Sequence, residues 1–144
     1  MPCLDYLARV REAHAELAAL GVGVIAVGAG SPAQAKRLTA AGSPFPCLVD
    51  ADRRLYAALG LGRLSLGVAF RIATYVNYVR AFRRGARQGA RTGDWRQQPG
   101  VALFDTELRL AWLRRASTLG DYPAIAEVVV AVRAAASSTG EASL

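Results

Sequence analysis

Apolar and polar positions at the start of the chain alternate with the period of an amphipathic helix. Side chains of apolar or mixed character recur on one helical face: Cys3, Leu7, Val10, His14 and Leu17. This spacing predicts a helix over residues 4–20, which the glycine at position 21 ends. The β-branched run at residues 22–27 follows it and is typical of a strand buried on both faces.

The alternation of helix and strand continues to residue 60. Ser31, followed by a proline, predicts a helix N-cap and a helix over residues 32–41. Residues 47–49 form a second short apolar run, predicted to be a buried strand, and Asp50 is placed to cap a helix over residues 53–59. Strands that alternate with helices in this way predict right-handed crossovers and a parallel sheet.

The last third of the chain has the pattern of a hairpin followed by a helix. Residues 101–104 and 108–113 are two apolar runs joined by three polar residues, which predicts two antiparallel strands with a tight turn. A final helix is predicted over residues 123–135. We expect one domain over residues 1–136 and a frayed tail of small polar residues over 137–144.

Length and composition limit the class of protein. With 144 residues, 53% of them hydrophobic, the chain can bury the core of one domain, which excludes a wholly disordered chain. Its two cysteines are too few for a disulfide-stapled mini-protein or a four-cysteine zinc module. The sequence shows neither an apolar stretch of about 18 residues nor a basic-then-apolar N-terminal signal. We therefore expect no transmembrane segment and a cytoplasmic protein.

A formal net charge of +7 favours acidic partners. Much of this charge lies in a predicted helical segment over residues 64–91, where aromatic residues are interleaved with arginines. One face of the segment is traced by Phe70, Ala73, Val76, Asn77 and Arg80. A solvated basic helix fits this pattern, and so does a surface for an acidic partner or a membrane. Because no known nucleic-acid motif accompanies the arginines, no nucleic acid is expected.

Cys3 is the first candidate for chemistry because it opens the predicted first helix. The partial positive charge at a helix N-terminus favours the thiolate, which is the reactive form of cysteine. The alternative is an incidental terminal cysteine. His14 cannot act as its base within one helix, since a rise of about 1.5 Å per residue separates the two by about 16 Å. Cys47, in the middle of a predicted strand, fits packing better than chemistry.

A glycine-rich turn allows a further hypothesis. Residues 28–33 read Gly-Ala-Gly-Ser-Pro-Ala and match the dinucleotide fingerprint, with Asp50 about twenty residues further on. Against nucleotide binding, a helix precedes this strand, and Pro32 removes an amide that could face a pyrophosphate. A plain strand-to-helix turn is the simpler interpretation.

The order of motifs resembles a known family. Residues 17–60 carry a helix ending in Leu-Gly, a valine-rich strand, a Ser-Pro helix, Pro-Phe-Pro, Leu-Val-Asp and Leu-Tyr-Ala-Ala-Leu-Gly. This order resembles the thioredoxin-fold redoxins of the alkyl hydroperoxide reductase/thiol-specific antioxidant (AhpC/TSA) superfamily. A narrower resemblance is to the peroxiredoxin-like 2 group of prostamide/prostaglandin F synthase-like redoxins. It is carried by the basic aromatic helix at 69–84, Trp95, Gln-Gln-Pro-Gly-Val at 97–101 and Gly-Asp-Tyr-Pro at 120–123.

The resemblance implies a thioredoxin-like α/β fold, with a mixed sheet of about four strands flanked by helices and the central N-terminal strand missing. Members of the group carry a Cys-x-x-Cys motif after that strand; Cys3 matches the second cysteine, and the first would precede Met1. An N-terminally truncated version of a longer protein is therefore expected. The strands at 22–27 and 101–104 would then either close up directly or pair with another chain, for instance in a homodimer.

The function that the resemblance implies is thiol-dependent redox chemistry on hydroperoxides or disulfides, with Cys3 as the surviving thiol. In a complete member the upstream cysteine would attack, and the equivalent of Cys3 would resolve the product as an internal disulfide. No cofactor is expected, and one histidine with two cysteines predicts no metal site. The reductant would be thioredoxin or glutathione. Pro99 precedes a predicted strand, where thioredoxin-like proteins often place a cis-proline beside the active thiol; a trans proline in a turn is the alternative. A hypothesis of another class is a non-catalytic thioredoxin-fold binding module, which uses its arginine-rich helix against an acidic partner or a membrane surface.

Overall fold

The structure, a computed structural model, describes residues 2–65, 67, 72–85 and 96–141. Its described helices are α1 (Pro2–Glu12), α2 (His14–Ala19), α3 (Pro32–Ala40), α4 (Arg54–Ala58), α5 (Ile72–Arg83) and α6 (Ile125–Glu141). Its described strands are β1 (Ala26–Gly28), β2 (Cys47–Val49), β3 (Gly100–Phe104) and β4 (Leu110–Arg115). Helices and short strands alternate along the first part of the chain, so the predicted α/β class is confirmed.

The predicted first helix is divided into α1 and α2 at Ala13. The backbone stays nearly continuous there, because the Ala13 amide donates to the Arg9 carbonyl at 3.1 Å. The predicted end at Gly21 is confirmed, since this glycine has φ +78°, the left-handed conformation that ends helices. Val10 and Leu17 of the predicted apolar face are buried, but Cys3 is exposed.

Strands β1 and β2 are parallel, as predicted, and pair Ala26 with Cys47 and Gly28 with Val49. The predicted burial of the two apolar runs is wrong, because Ile25 of the run at 22–27 is 59% exposed and Leu48 of β2 is 52% exposed. Helix α3, which packs on β2, buries none of its own side chains. The face of this small sheet that lies toward α3 is therefore only partly covered.

The starts of α3 and α4 are close to where the sequence predicts them. Ser31 is the N-cap of α3, although its side chain makes no capping hydrogen bond. The carboxylate of Asp50 accepts hydrogen bonds from the amides of Arg54, Leu55 and Tyr56, at 3.0, 2.9 and 3.2 Å. Asp50 thus satisfies three amides that the first turn of a helix leaves without backbone partners.

Strands β3 and β4 form the predicted antiparallel hairpin, in which Val101 pairs with Arg114. The turn is longer than predicted, since β4 begins at Leu110 rather than at residue 108. The reason is the carboxylate of Asp105, which accepts the amides of Glu107 and Arg109 at 2.9 Å each. This local network holds the extra residues in the loop.

The four described strands form two separate two-stranded sheets rather than one mixed sheet. Both sheets pack against one hydrophobic core, which β1 contacts through Ala26 and β3 through Val101. The buried members of this core are Tyr6, Val10, Leu17, Phe45 and Val129. Of the two expectations for the missing strand, direct closure of β1 against β3 is therefore not seen in the described residues.

The remaining helices differ in detail from the pattern. Helix α5 buries Thr74 and Ala81, whereas Val76 and Arg80 of the predicted face are exposed. Phe70 and Trp95 lie outside the described residues. Helix α6 continues to Glu141, so residues 137–141 are helical where the frayed tail was predicted to begin. Among the described helices, none has the length and apolar character needed to cross a membrane.

Candidate functional site

Cys3 lies in the first turn of α1, as predicted, and its free thiol is exposed. Tyr122, which follows the hairpin and precedes α6, is a neighbour of Cys3. The two side chains are near enough for the sulfur to act on the tyrosine hydroxyl both by charge and by hydrogen bonding. The thiol is therefore accessible on one side and has a hydroxyl neighbour on the other.

Two further tyrosines build this environment. The ring of Tyr6, one turn after Cys3, stacks on Tyr122 with 4.5 Å between ring centroids and 9° between planes. Tyr56 of α4 lies close enough for Cys3 to influence its pKa, and Tyr56 in turn raises the pKa of Tyr122. Its hydroxyl donates to the Val27 carbonyl at 3.0 Å, which ties α4 to β1. We call Tyr6, Tyr56 and Tyr122 the tyrosine cluster.

Every hydroxyl of the tyrosine cluster keeps its proton at neutral pH. Burial raises the pKa of Tyr122 well above its usual value near 10, and Cys3 raises it further. Burial also raises the pKa of Tyr56, with Asp50 and Cys3 adding to the effect. Burial raises the pKa of Tyr6 to about 12, against the opposing charge of Arg9. Tyr122 therefore offers a neutral hydrogen-bond donor to Cys3, whereas the proton of the Tyr56 hydroxyl is already engaged by the Val27 carbonyl.

The turn that carries Tyr122 is fixed by Asp121. One oxygen of this carboxylate accepts the Ser117 amide at 2.8 Å and the Ser117 hydroxyl at 2.7 Å. The other accepts an N–H of Arg114 at 3.3 Å. Burial alone would raise the pKa of Asp121, but the hydrogen bonds from Ser117 and the charge of Arg114 outweigh it, so the pKa is lowered.

Gly120 allows this turn to approach α1 and α5 closely. It has φ +80°, and a Cβ at this position would lie 2.7 Å from the Pro2 Cβ and 3.0 Å from the Asn77 Cβ. The Asn77 side-chain amide donates to the Leu119 carbonyl at 3.1 Å, which holds α5 against the same turn. Only a glycine fits between these neighbours without displacing them.

Asp5, two residues after Cys3, is a buried carboxylate whose charge is offset. Its Oδ1 lies 3.0 Å from the Arg84 Nε, and its Oδ2 lies 3.6 Å from the Arg9 Nε. Asp5 is only 7% exposed, so this pairing takes place largely away from water. The negative charge beside the thiol is thus matched by arginines from α1 and the end of α5.

Comparison with known proteins shows the family of the chain. The model of the AhpC/TSA antioxidant enzyme family matches residues 9–118, which is more than half of the chain. The chain belongs to the AhpC/TSA antioxidant enzyme family. No curated protein and no solved structure matches it. The match supports the thioredoxin-like α/β fold and a thiol-dependent redox role in general. It begins after Cys3, so the role of this cysteine has to be argued from its surroundings.

The other residues singled out in the sequence of this AhpC/TSA protein have structural neighbours. The peptide bond before Pro99 is trans, not cis, and the Pro99 carbonyl accepts the Ala116 amide at 3.0 Å at the base of the hairpin. Cys47 is half-buried, with its sulfur 3.8 Å from the Ser43 hydroxyl. His14 is half-buried, 6.0 Å from the Phe45 ring between centroids. Cys47 and His14 thus have the packed positions that the sequence predicts.

The glycine-rich turn does not carry the features of a nucleotide site. Asp50 would have to bind a ribose, but both of its carboxylate oxygens accept amides of α4. The amide of Asp50 also donates to the Gly28 carbonyl at 2.9 Å, which closes the parallel pair. The aspartate and the glycines therefore serve the strand-to-helix turns.

The tyrosine cluster, Gly120 and Asp121 were not among the predicted site residues of this AhpC/TSA protein. Their positions in the sequence are far apart, and no spacing rule connects position 6 with 56 and 122. One signal was present, since the Gly-Asp-Tyr-Pro run at 120–123 is part of the family resemblance. Its link to Cys3 becomes visible only when α1 packs against this turn.

Proposed function

We propose that this AhpC/TSA protein reduces hydroperoxides with Cys3 as the attacking thiol. The observation that carries the proposal is an exposed thiol in the first helical turn with the Tyr122 hydroxyl beside it, in a chain of this family. The motifs at 97–101 and 120–123 support placing it in the peroxiredoxin-like 2 group. A disulfide is the other substrate class open to the same thiol.

The chemistry proceeds in two stages. The Cys3 thiolate attacks the terminal oxygen of the hydroperoxide, the O–O bond breaks, and the leaving alkoxide takes a proton to become an alcohol. Cys3 is then a sulfenic acid. An external thiol attacks its sulfur and releases water, which leaves a mixed disulfide. A second external thiol attacks this disulfide, restores the Cys3 thiol and leaves as part of a symmetrical disulfide.

The tyrosine cluster serves the first stage. Tyr122 is neutral and is placed to donate its hydroxyl proton in a hydrogen bond to the Cys3 thiolate. Its ring cannot swing away freely, because it is stacked on Tyr6 at 4.5 Å. Tyr122 is therefore assigned as a positioning residue that stabilises and orients the reactive sulfur.

The second stage needs a thiol from outside the chain. Cys47 is free and half-buried in β2, held toward Ser43, and is not the resolving partner in this scheme. Glutathione or thioredoxin would supply the electrons, and the cytoplasm is the compartment that provides both in reduced form. A direct role for Pro99 beside the sulfur stays a prediction.

Peroxide consumption in the presence of glutathione tests the proposal. The unmodified protein and Cys47→Ser are expected to consume hydroperoxide, and Cys3→Ser is expected to be inactive. Mass spectrometry should find the sulfenic acid on Cys3. Activity that survives in Cys3→Ser, or a sulfenic acid confined to Cys47, contradicts the proposal.

The role of Tyr122 has its own test. Tyr122→Phe keeps the ring on Tyr6 but removes the hydroxyl, and it should slow oxidation of Cys3 about fivefold, since one hydrogen bond to an exposed sulfur is worth about 1 kcal/mol. Tyr75→Phe is the matched control, because Tyr75 is exposed on α5 outside the tyrosine cluster. Equal rates in both variants would remove the assigned role of Tyr122.

A second candidate function rests on an exposed stripe of α5. Ile72, Tyr75 and Phe82 are 82%, 75% and 74% exposed, and they recur at helical spacing. Arg83, at the end of the same helix, is exposed and follows Phe82 directly, whereas Arg84 is engaged by Asp5. We propose that the stripe binds an anionic membrane surface, as basic amphipathic helices do.

Vesicle sedimentation distinguishes this binding module from the redox enzyme. The protein should sediment with phosphatidylserine-containing vesicles and not with phosphatidylcholine vesicles. The double variant Tyr75→Ser/Phe82→Ser should lose this binding, whereas Leu108→Ser, which changes an exposed apolar residue in the hairpin loop, should keep it. Sedimentation with neither vesicle, or equal binding by the double variant, overturns the membrane proposal and favours an acidic protein partner.

A further inference from the structure

A small polar cavity lies between α1, α5 and the turn at 118–122. Its volume is about 140 Å³, and its lining includes Pro2, Arg9, Asn77, Arg80, Arg84 and Tyr122. Cavities that hold a whole drug-sized ligand measure about 300–1,000 Å³, so this one fits a single small group. Its lining is polar and arginine-rich, which favours a charged group over an apolar one.

The charges around the cavity are unbalanced. Three guanidinium groups, from Arg9, Arg80 and Arg84, share it with one carboxylate, that of Asp5. Arg84 pairs with Asp5 at 3.0 Å. Arg80 is exposed and has no ion pair within the part of the chain that the structure describes. One carboxylate cannot neutralise three arginines, so the cavity carries a positive potential.

A buried donor in the same cavity lacks a partner. The Arg9 Nε is buried and has no hydrogen-bond acceptor among the described residues, since the Asp5 oxygen at 3.6 Å is too distant. A buried N–H without an acceptor is costly in a folded protein and is uncommon. The Arg9 Nε is too buried for a ligand to touch, so an anion in the cavity would interact with the charge of Arg9 and would pair directly with Arg80.

The cavity adjoins the thiol. Pro2, which precedes Cys3, is part of its lining, and so is Tyr122, whose hydroxyl neighbours the sulfur. Cys3 itself does not line the cavity, so a molecule whose anionic group lies there would reach the sulfur past Pro2 and Tyr122. The exposed side of the sulfur stays open for this molecule.

We propose that this cavity binds the carboxylate of the small molecule that reacts at Cys3. The inference rests on the proposed function and names its substrate class: a carboxylate-bearing thiol, such as glutathione, or a carboxylate-bearing hydroperoxide. Arg80 supplies the charge that is not already engaged by Asp5. Carboxylate binding and redox activity can fail separately, so each has its own measurement.

The first experiment compares two disulfide probes on Cys47→Ala protein, so that only Cys3 reacts. In each case the Cys3 thiolate attacks one probe sulfur, forms a mixed disulfide and releases the other half as a thiolate. Dithiobis(nitrobenzoate) carries carboxylates and dithiodipyridine is neutral. The rate ratio is the rate with dithiobis(nitrobenzoate) divided by the rate with dithiodipyridine. Arg80→Gln should lower this ratio about threefold, because one charge several ångströms away in water has an effect of this size. Arg83→Gln, which changes an exposed arginine outside the cavity lining, should leave it unchanged.

Salt gives a second readout of the same charge. The rate ratio should fall between about 10 and 200 mM salt in the parent protein and much less in Arg80→Gln. Equal ratios in Arg80→Gln and Arg83→Gln overturn the proposal. If Cys3 reacts with both disulfide probes but never with a hydroperoxide, the proposed peroxidase function is wrong. The rate ratio of the two probes still measures the preference for a carboxylate in that case.

Esterified substrates identify the source of the carboxylate. One arm measures oxidation of Cys3 by linoleate hydroperoxide and by its methyl ester. The other measures reduction of oxidised Cys3 by glutathione and by its diethyl ester, in which both carboxylates are blocked. If the free acid reacts faster than its ester, and Arg80→Gln makes the two rates equal, that molecule is the ligand whose carboxylate the cavity binds. Equal rates for acid and ester in both arms overturn the proposal.

Discussion

Asp121 links the stability of the fold to the position of Tyr122, and Asp121→Asn measures this link. The substitution keeps the shape of the side chain but removes its charge. Two short hydrogen bonds from Ser117, at 2.8 and 2.7 Å, lose their charged acceptor, and the ion pair with Arg114 is lost. The turn at 117–121 is therefore expected to loosen.

The magnitude follows from these contacts. A hydrogen bond to a charged group contributes about 1.5–3 kcal/mol, but asparagine retains part of it through its carbonyl. The pair with Arg114 adds little, since partly exposed ion pairs contribute about 0–1 kcal/mol. We expect a loss of about 2 kcal/mol in the free energy of unfolding, which lowers the urea midpoint by about 1 M at a typical m-value.

The pH dependence has a definite sign. The pKa of Asp121 is lowered in the folded protein, where the Ser117 hydrogen bonds and Arg114 outweigh burial. The stabilisation of the folded protein by the Asp121 charge is therefore complete when the pH is above the ordinary pKa near 3.8, and it disappears as the pH falls through the lower pKa of the folded state. The difference in unfolding free energy between the parent and Asp121→Asn should shrink below about pH 4.

The assay is urea unfolding followed by circular dichroism at neutral and acidic pH, with the Cys3 rate toward dithiodipyridine as the functional readout. Asp105→Asn is the control: this aspartate also accepts backbone amides, but it lies in the hairpin loop. Both variants change a turn, and only Asp121→Asn should alter the Cys3 rate. An unchanged urea midpoint in Asp121→Asn would contradict the stabilising role of Asp121. A difference in unfolding free energy that persists at low pH would contradict the assignment of this role to its charge.

Three further substitutions test the hydrophobic core, the close contact between Gly120 and Pro2, and the cap that Asp50 provides for α4. Leu17→Ala truncates a side chain that is 3% exposed and should cost about 2–5 kcal/mol in urea unfolding, against less than about 1 kcal/mol for exposed Leu55→Ala. Gly120→Ala places a Cβ 2.7 Å from Pro2 at φ +80° and should cost about 2–4 kcal/mol, with a changed Cys3 rate. Asp50→Ala removes three capping bonds, costs about 1–2 kcal/mol and should speed amide exchange in α4; unchanged exchange would contradict the capping role.

Local signals in the sequence were sufficient for much of the framework. A glycine after an apolar helix, a Ser-Pro pair and an aspartate after a short strand each act within a few residues, so Gly21, Ser31 and Asp50 were placed correctly. The parallel β1–β2 pair and the antiparallel β3–β4 pair followed from the order of these elements. Cys3 was located at a helix start on the same local grounds.

Burial was less predictable because it depends on which neighbours cover a face. The apolar strand containing Leu48 was expected to be buried, yet α3 leaves it half exposed. Helix α5 turns Thr74 and Ala81 inward and leaves Phe82 outside, which its own pattern did not indicate. The four strands form two sheets around one core because packing, not alternation, decides which edges meet.

Contacts within a few residues fix the order of the helices and strands, the α/β class and the place of one cysteine at the start of the first helix, so these features were predictable from the amino-acid sequence. Only the tertiary structure decided what surrounds that cysteine. Tyr6, Tyr56 and Tyr122 are far apart in the sequence and come together in the fold, where Gly120 lets the turn after β4 approach α1 closely. The surroundings of the thiol therefore include long-range neighbours, and their geometry is a property of the folded chain.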